Sequence, residues 1–124
     1  MIKLIDPIEH LLNCIKKKYP NLKCLIQFDS DYQKNNNSES FANTCFPDDG
    51  SEPVITIDGT VPYSASLELI SHEIAHVICH QELNQDLTKC SEEEAHSSVF
   101  KKEFEELHLL YSSTYKNYVD SFYL

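Results

Sequence analysis

Two histidines and a glutamate within one short segment are the residues of this chain best suited to chemistry. His72 and His76 are separated by four positions, and Glu73 lies between them. Residues four apart on an α-helix lie on one face, one turn from each other, so two such imidazoles can bind one metal ion. Glu73 can reach a water on that ion in this H-E-x-x-H arrangement. The segment therefore predicts a zinc site with two histidine ligands and Glu73 as the general base.

The third ligand of the predicted site must come from elsewhere, because a catalytic zinc ion has three protein ligands and keeps one position for water. His80 continues the row of His72 and His76, but it lies two turns from His72. Its imidazole cannot reach the same ion without a break in the helix. The longer motif with a third histidine six residues on requires a glycine turn, which is missing here. We expect His80 to lie beside the site or at the surface.

His96 is the preferred third ligand. Phe100 and Phe104 follow it at intervals of four, which places His96 on the inward face of the last helix, in the second turn of that helix. A lone histidine on an apolar face is usually a core residue, but a facing H-E-x-x-H helix favours a ligand. Glu92 and Glu93 share roughly this face one turn earlier and remain the alternatives, although an acidic first turn is also ordinary for a helix.

The segment from Ile70 to Leu107 resembles the core of the small intracellular zincins grouped as SprT-like, WLM and phage-type metallopeptidases. The residues that carry the resemblance are His72-Glu73-Ile74-Ala75-His76 and His96-Ser97-Ser98-Val99-Phe100. The resemblance implies that His72, His76 and His96 bind zinc and that Glu73 is the catalytic base. Ser97 departs from the family pattern, in which many relatives carry glycine.

A second family competes with the first. The ImmA/IrrE-type peptidases also continue H-E-x-x-H to a further histidine, as His80 does here. Their later helix carries Glu-x-x-Ala-Asn, which Glu92-Glu93-Glu94-Ala95-His96 resembles except at its last residue. That alignment implies Glu92 as the third ligand. Histidine in place of asparagine, and the spacing from His96 to Phe100, favour the first family.

The first third of the chain predicts a helix, a strand and a loop. Asp6-Pro7 is typical of an N-cap followed by proline in the first turn, and residues 19–21 end this helix. Residues 23–28 form a short run with strand propensity. The polar segment 29–40 predicts a loop.

The rest of the chain predicts a hairpin and two helices. Residues 41–46 and 54–58 are joined by turn residues, which indicates an antiparallel pair. Ser64 or Ser66 is the expected N-cap of the H-E-x-x-H helix, and residues 91–94 form a capping box that opens a long C-terminal helix.

Composition limits the class of protein. At 124 residues the chain fits one domain, residues 1–124. We expect an α+β fold: an N-terminal helix, a small and mostly antiparallel three-stranded sheet, the H-E-x-x-H helix and the C-terminal helix, together a minimal zincin-like domain as the resemblance implies. Five cysteines without a C-x-x-C pair, and no secretory pattern in residues 1–12, favour a cytoplasmic or other intracellular protein.

The charge balance and hydropathy limit the partners. A net charge of −10 argues against direct binding to nucleic acid or to an anionic membrane. The sequence contains no run of about 18 apolar residues, so we do not expect a membrane span. The expected partner is a protein or peptide substrate.

The expected activity is that of a zinc-dependent metalloprotease with one zinc ion, in which zinc-activated water attacks a peptide bond of an intracellular protein and Glu73 takes the proton. The zincin resemblance implies an edge strand upstream of the motif, and we expect an extended substrate to pair with it by strand addition. Its residues are Phe41, Ala42, Asn43, Thr44, Cys45 and Phe46. Tyr63, Tyr111 and Tyr115 are open candidates for a donor to the developing oxyanion.

Two other hypotheses stand beside the protease. The first is a zincin-fold regulatory or interaction module that binds zinc and a partner but has little or no turnover. The second is a helical structural protein in which the H-E-x-x-H pattern is accidental. A Glu73→Gln variant separates the protease from the binding module, because in a protease this change should abolish proteolysis and leave partner binding intact. Metal analysis tests whether the H-E-x-x-H pattern is accidental.

Overall fold

The computed structural model describes residues 6–36, 40–83 and 95–120. The helices in these ranges are α1 (Pro7–Lys18), α2 (Tyr32–Asn36), α3 (Tyr63–Gln81) and α4 (Ser98–Asp120). The strands are β1 (Leu25–Asp29), β2 (Ala42–Cys45) and β3 (Val54–Asp58). Helices packed with one small three-stranded sheet confirm the predicted α+β class.

The first helix forms where the capping signal predicts it. The Asp6 carboxylate accepts a hydrogen bond from the backbone N–H of Ile8 at 3.0 Å, and Pro7 occupies the first turn. This bond satisfies one of the amides that a helix start leaves without a partner. Leu11 and Ile15, one turn apart, are buried in the core, so α1 packs through a single apolar side.

The sheet has the strand order β1-β3-β2. β2 and β3 form the predicted antiparallel hairpin, with Ala42 opposite Ile57 and Cys45 opposite Val54. β1 instead runs parallel to β3, with Leu25 opposite Val54. The sheet is therefore mixed rather than mostly antiparallel. The pattern of residues 23–28 predicts a strand, but which strand it joins depends on contacts with distant parts of the chain.

The predicted loop 29–40 contains the short helix α2. Tyr32 at its start is only 1 % exposed, and its hydroxyl shares a hydrogen bond of 3.2 Å with the Ser40 hydroxyl. Burial of one large aromatic side chain stabilises a single helical turn that the polar composition alone would not predict. Residues 37–39 lie outside the described part of the chain.

The prediction that Ser64 or Ser66 caps α3 is wrong. The N-cap position is Pro62, where no side chain caps the helix. The hydroxyl of Ser66 instead donates to the carbonyl oxygen of Tyr63 at 2.6 Å, inside the first turn. Because the helix already begins at Tyr63, both serines lie inside its first turn, beyond the position from which a side chain caps a helix.

The helix α3 lies at the centre of the molecule, between the sheet and α4. Most of its residues from Ser66 to Cys79 are buried, Glu73 and His76 among them. Apolar side chains from all the large elements surround it, namely Leu11, Ile15, Ile55, Ile57, Phe100 and Leu107. The predicted metal-binding segment is therefore held on the most enclosed helix described.

The C-terminal helix begins later than its predicted capping box. α4 starts at Ser98, and its first bonds include one from the N–H of Lys101 to the carbonyl of Ser97 at 3.0 Å. Ala95 is helical, but His96 and Ser97 form a turn before α4 begins. His96 therefore lies just before α4 rather than in the second turn of one continuous helix. The capping box at residues 91–94 lies outside the described ranges.

The described helices and cysteines bear on the predicted class of protein. None of the described helices is long and apolar enough to cross a membrane. The cysteines at positions 14, 24, 45 and 79 carry free thiols, and Cys90 lies outside the described residues.

Candidate metal centre

Three imidazoles meet beside the middle of α3. One nitrogen each from His72, His76 and His96 lies within 4.8 Å of the other two. The ring centroids are separated by 5.1 Å between His72 and His76, 5.5 Å between His72 and His96, and 4.8 Å between His76 and His96. In the described part of the chain, no other group of three potential metal ligands is as compact. The structure thus brings together the three histidines that the sequence selects.

Aromatic packing restricts the orientation of these rings. Phe100, in the first turn of α4, stacks on His76 with centroids 4.1 Å apart and an angle of 17° between the planes. The same phenyl ring meets His72 and His96 edge to face, each at 5.0 Å. Phe104 borders His72 at 5.1 Å. The two phenylalanines that predicted the inward face of His96 therefore also enclose the imidazole cluster.

The protonation state of the cluster suits a metal. Burial, together with the neighbouring imidazoles, lowers the pKa of His76 to about 3. Burial and His96 also lower the pKa of His72. Both rings are therefore neutral at physiological pH, which is the form that binds metal ions.

The donor set also fits a zinc ion. The Nδ1 atom of His76 is buried without a hydrogen-bond partner among the described residues, and a buried polar atom of this kind calls for a ligand. Zinc–nitrogen distances of about 2.0–2.1 Å place the nitrogens of tetrahedral ligands about 3.3–3.4 Å apart. The nitrogens of the cluster lie within 4.8 Å of one another, so side-chain rotations that bring them about 1.5 Å closer are what binding of one ion requires. The residues present therefore fit a single zinc ion.

Glu73 places a carboxylate next to this cluster. It follows His72 on α3 and is 7 % exposed. Burial raises its pKa, whereas a hydrogen bond of 2.6 Å donated by the Thr44 hydroxyl to its Oε2 atom lowers it. A carboxylate with a raised pKa is a stronger base than one in water, so the environment of Glu73 suits proton transfer.

A cleft of about 580 Å³ opens beside His72 and Glu73, which form part of its wall. It extends to the start of β2 and to α4. Its remaining lining is largely apolar, with Phe41, Leu69 and Phe104 as the largest side chains. Its volume and mainly apolar lining lie within the range of clefts that bind ligands.

The predicted substrate strand is an edge strand. Residues Ala42–Cys45 form β2, which pairs with β3 on one side. Phe41 and Phe46 flank it, the first half exposed and the second partly buried. The side chains of Ala42 and Thr44 are the more buried ones of β2, whereas Asn43 and Cys45 are exposed.

The phase of the β2–β3 ladder determines which backbone groups face the open side. The N–H of Asp58 donates to the carbonyl of Phe41 at 2.8 Å, so these two residues form a hydrogen-bonded pair. Such pairs alternate along an antiparallel ladder. Ala42 and Thr44 are therefore the non-bonded positions, whose N–H and C=O groups point away from β3. These are the groups that an added strand would contact.

The other candidate side chains that the structure describes, His80 and Tyr63, are not part of the cluster. The ring of His80 packs against Phe46 with centroids 4.7 Å apart. The hydroxyl of Tyr63 donates to the Asp6 carboxylate and accepts from the N–H of Ile8 at the start of α1, so it is not presented to the imidazoles. The alternative ligands Glu92 and Glu93 lie outside the described residues, as do the side chains of Tyr111 and Tyr115.

Two contacts of the site were not predicted from the sequence. The bond between Thr44 and Glu73 joins residues 29 positions apart, so no local pattern predicts it. Stacking of Phe100 on His76 likewise depends on how α4 packs against α3. The spacing of His96 and Phe100 is the nearest sign of that stacking in the sequence.

Fold and site together define a small α+β protein with a three-histidine cluster that can hold a metal ion. Comparison with protein-family models, with known proteins and with solved structures finds no match for this chain. The function must therefore be argued from the geometry of the site.

Proposed function

We propose that this protein is a zinc-dependent metallopeptidase of the zincin type that hydrolyses peptide bonds in a protein substrate. His72, His76 and His96 hold one zinc ion in this proposal, and Glu73 is the general base. The observation that carries the proposal is the convergence of three imidazoles next to a buried carboxylate on the same helix as two of them. Ligands and base in this relation are what metal-assisted hydrolysis requires.

The ligand set favours zinc over harder cations. Three neutral imidazoles suit zinc and neighbouring transition metals, whereas magnesium and calcium prefer oxygen ligands. A bound zinc ion supplies Lewis acidity, which polarises a carbonyl group and acidifies a coordinated water. With His72, His76 and His96 as its protein ligands, the ion would keep one position for that water.

Glu73 handles the proton in the proposed reaction. The carboxylate takes a proton from the attacking water as the oxygen bonds to the peptide carbon. It then gives this proton to the amine nitrogen as the carbon–nitrogen bond breaks. Thr44 already binds Oε2, so Oε1 is the atom assigned to these transfers. The raised pKa of Glu73 helps the first step, because a more basic carboxylate takes the proton more readily.

The open edge of β2 is the proposed binding surface for the substrate backbone. An extended peptide can bond to the outward N–H and C=O groups of Ala42 and Thr44 as an additional strand. The adjacent cleft can then take a side chain. Its walls are mainly apolar, its carboxylates are Glu68 and Glu73, and no lysine or arginine of the described residues lines it. We therefore expect large apolar side chains to be preferred there over acidic ones.

We further propose an intracellular location and a protein or peptide partner. Free thiols on the four described cysteines agree with a reducing compartment. The net charge of −10 disfavours direct contact with nucleic acid.

The proposed function is tested with fluorescein-labelled casein as substrate. We expect the zinc-loaded protein to cleave it, a chelator to stop cleavage, and added zinc to restore it. Glu73→Gln should reduce the rate at least about 100-fold, since it removes the general base, and should still bind zinc. Glu9→Gln, an exposed position on α1, is the matched control.

Two outcomes would contradict the proposal. Cleavage that survives Glu73→Gln would refute the role of this carboxylate. A zinc-loaded wild-type protein that cuts no casein would support the binding module without turnover instead.

A further inference from the structure

We propose that Thr44 is a positioning residue for the general base. Its hydroxyl holds the Glu73 carboxylate in place from the same strand position whose backbone receives the substrate. This inference rests on the proposed function and assigns to the edge strand a second task besides binding.

The hydrogen bond itself is the first observation. Thr44 Oγ1 donates to Glu73 Oε2 at 2.6 Å, and Glu73 is 7 % exposed. Hydrogen bonds from a hydroxyl to a carboxylate at this length are short and strong. A glutamate side chain has several rotatable bonds, so its carboxylate needs a partner to stay in one orientation. Because Thr44 holds Oε2, the carboxylate keeps one orientation, and Oε1 is the oxygen left for proton transfer.

The position of Thr44 on β2 is the second observation. The ladder phase, set by the bond from Asp58 to Phe41, turns the backbone N–H and C=O of Thr44 to the open edge. The side chain of Thr44 lies on the face of the sheet that packs against α3, whereas the side chains of Asn43 and Cys45 lie on the opposite, exposed face. A β-branched side chain has few rotamers in a strand, so fixing the backbone also fixes the hydroxyl. A substrate strand bound at Thr44 would therefore stabilise the orientation of Glu73.

Two substitutions separate the hydroxyl from the shape of the side chain. Thr44→Val keeps the branched shape and the strand propensity but loses the donor. Thr44→Ser keeps the donor. Thr56→Val is the matched control, because Thr56 lies on the other face of the sheet, where its hydroxyl accepts a bond from Gln27 at 3.0 Å.

The kinetic test uses a quenched fluorescent peptide that spans the casein bond cut fastest by the wild-type protein. We expect Thr44→Val to lower kcat about 10- to 100-fold, as loss of one hydrogen bond to a charged group implies. KM should change by less than about threefold, because the backbone contacts remain. Thr44→Ser should recover most of the lost kcat, and Thr56→Val should match the wild type.

A second measurement needs neither zinc nor activity. The free energy of unfolding is determined by urea titration of the metal-free wild type, Thr44→Val, Glu73→Ala and the double variant. If the bond holds Glu73, Thr44→Val should destabilise the wild-type background and have little effect in the Glu73→Ala background. Equal effects in both backgrounds would show that the two side chains are not coupled.

The outcomes distinguish the inference from the function on which it rests. Wild-type protein without Glu73-dependent cleavage overturns the proposed function and, with it, the role of Thr44. Glu73-dependent cleavage with full kcat in Thr44→Val overturns the role of Thr44 alone.

Discussion

Burial acts in opposite directions on neighbouring side chains of α3. It lowers the pKa of His72 and His76 and raises that of Glu73, because a low-polarity surrounding disfavours the charged form of each. The imidazoles are thereby kept neutral as ligands while the carboxylate becomes more basic. One physical cause thus prepares both the metal-binding groups and the proposed base.

The same burial predicts that the cysteines differ in reactivity. Cys79 on α3 is fully buried, and burial together with Glu103 raises its pKa from the usual 9.0 to about 11. Its thiolate fraction near pH 8 is therefore about 100-fold below that of an ordinary thiol. We expect iodoacetamide to modify exposed Cys45 in the native protein and to spare Cys79 until urea is added. Peptide mass spectrometry measures this, and equal labelling of the two would contradict the packing of α3.

Two polar contacts join the end of α1 to α4, the helix that contributes Phe100 and Phe104 to the site. The hydroxyl of Tyr19 donates to Glu103 Oε1 at 2.9 Å, and Glu103 is only 6 % exposed. A second contact, the ion pair between Lys18 and Glu106 at 2.6 Å, is largely open to solvent. The bond between Tyr19 and Glu103 should contribute more to stability than this ion pair. If the buried Glu103 carboxylate loses its donor, water cannot reach it to take the donor's place.

Substitution of Tyr19 tests this difference. Tyr19→Phe should lower the free energy of unfolding by about 1–3 kcal/mol, since it leaves the Glu103 carboxylate without this donor. Lys18→Met should be close to neutral, because exposed ion pairs are screened by water and salt. Urea titrations at about 0.15 M salt compare the two variants. A Tyr19→Phe variant as stable as Lys18→Met would show that this contact does not hold α4.

The elements that local sequence predicted are those with local causes. Asp6 caps α1 through its own backbone neighbourhood, and a turn-rich connection joins β2 to β3. The parallel pairing of β1 with β3, the helix α2 anchored by Tyr32 and the turn at His96 depend on contacts between distant residues. Periodicity does not record such contacts, so these features could be found only in the folded chain.

The candidate site follows the same division between local and distant causes. The spacing of His72, Glu73 and His76 predicts their proximity because helical geometry is regular, and the four-residue interval from His96 to Phe100 predicts that His96 faces them. The structure places the three imidazole nitrogens within 4.8 Å of one another, in agreement with that expectation. The role of Thr44 could not be predicted, because its partner Glu73 lies 29 residues away, across the contact between β2 and α3.

At the scale of the whole molecule, the packing of α3 between the sheet and α4 brings the parts of the site together. The sheet contributes the open edge of β2, the central helix contributes two histidines and Glu73, and the segment before α4 contributes His96. A metal ion bound across these elements should also stabilise the fold, because the unfolded chain does not present a formed site. The proposed centre should therefore be detectable as zinc bound to the purified protein.

Metal analysis of the purified protein is the most direct test of the proposed zinc centre. After dialysis of the protein against metal-free buffer, elemental mass spectrometry should find about one zinc ion per chain, because each chain has one site with three protein ligands. His72→Ala, His76→Ala and His96→Ala should each lose most of this zinc, whereas His10→Ala, at an exposed position on α1, should retain it. A folded wild-type protein without zinc that takes up none when it is supplied, or full zinc content in His96→Ala, would contradict the proposed centre.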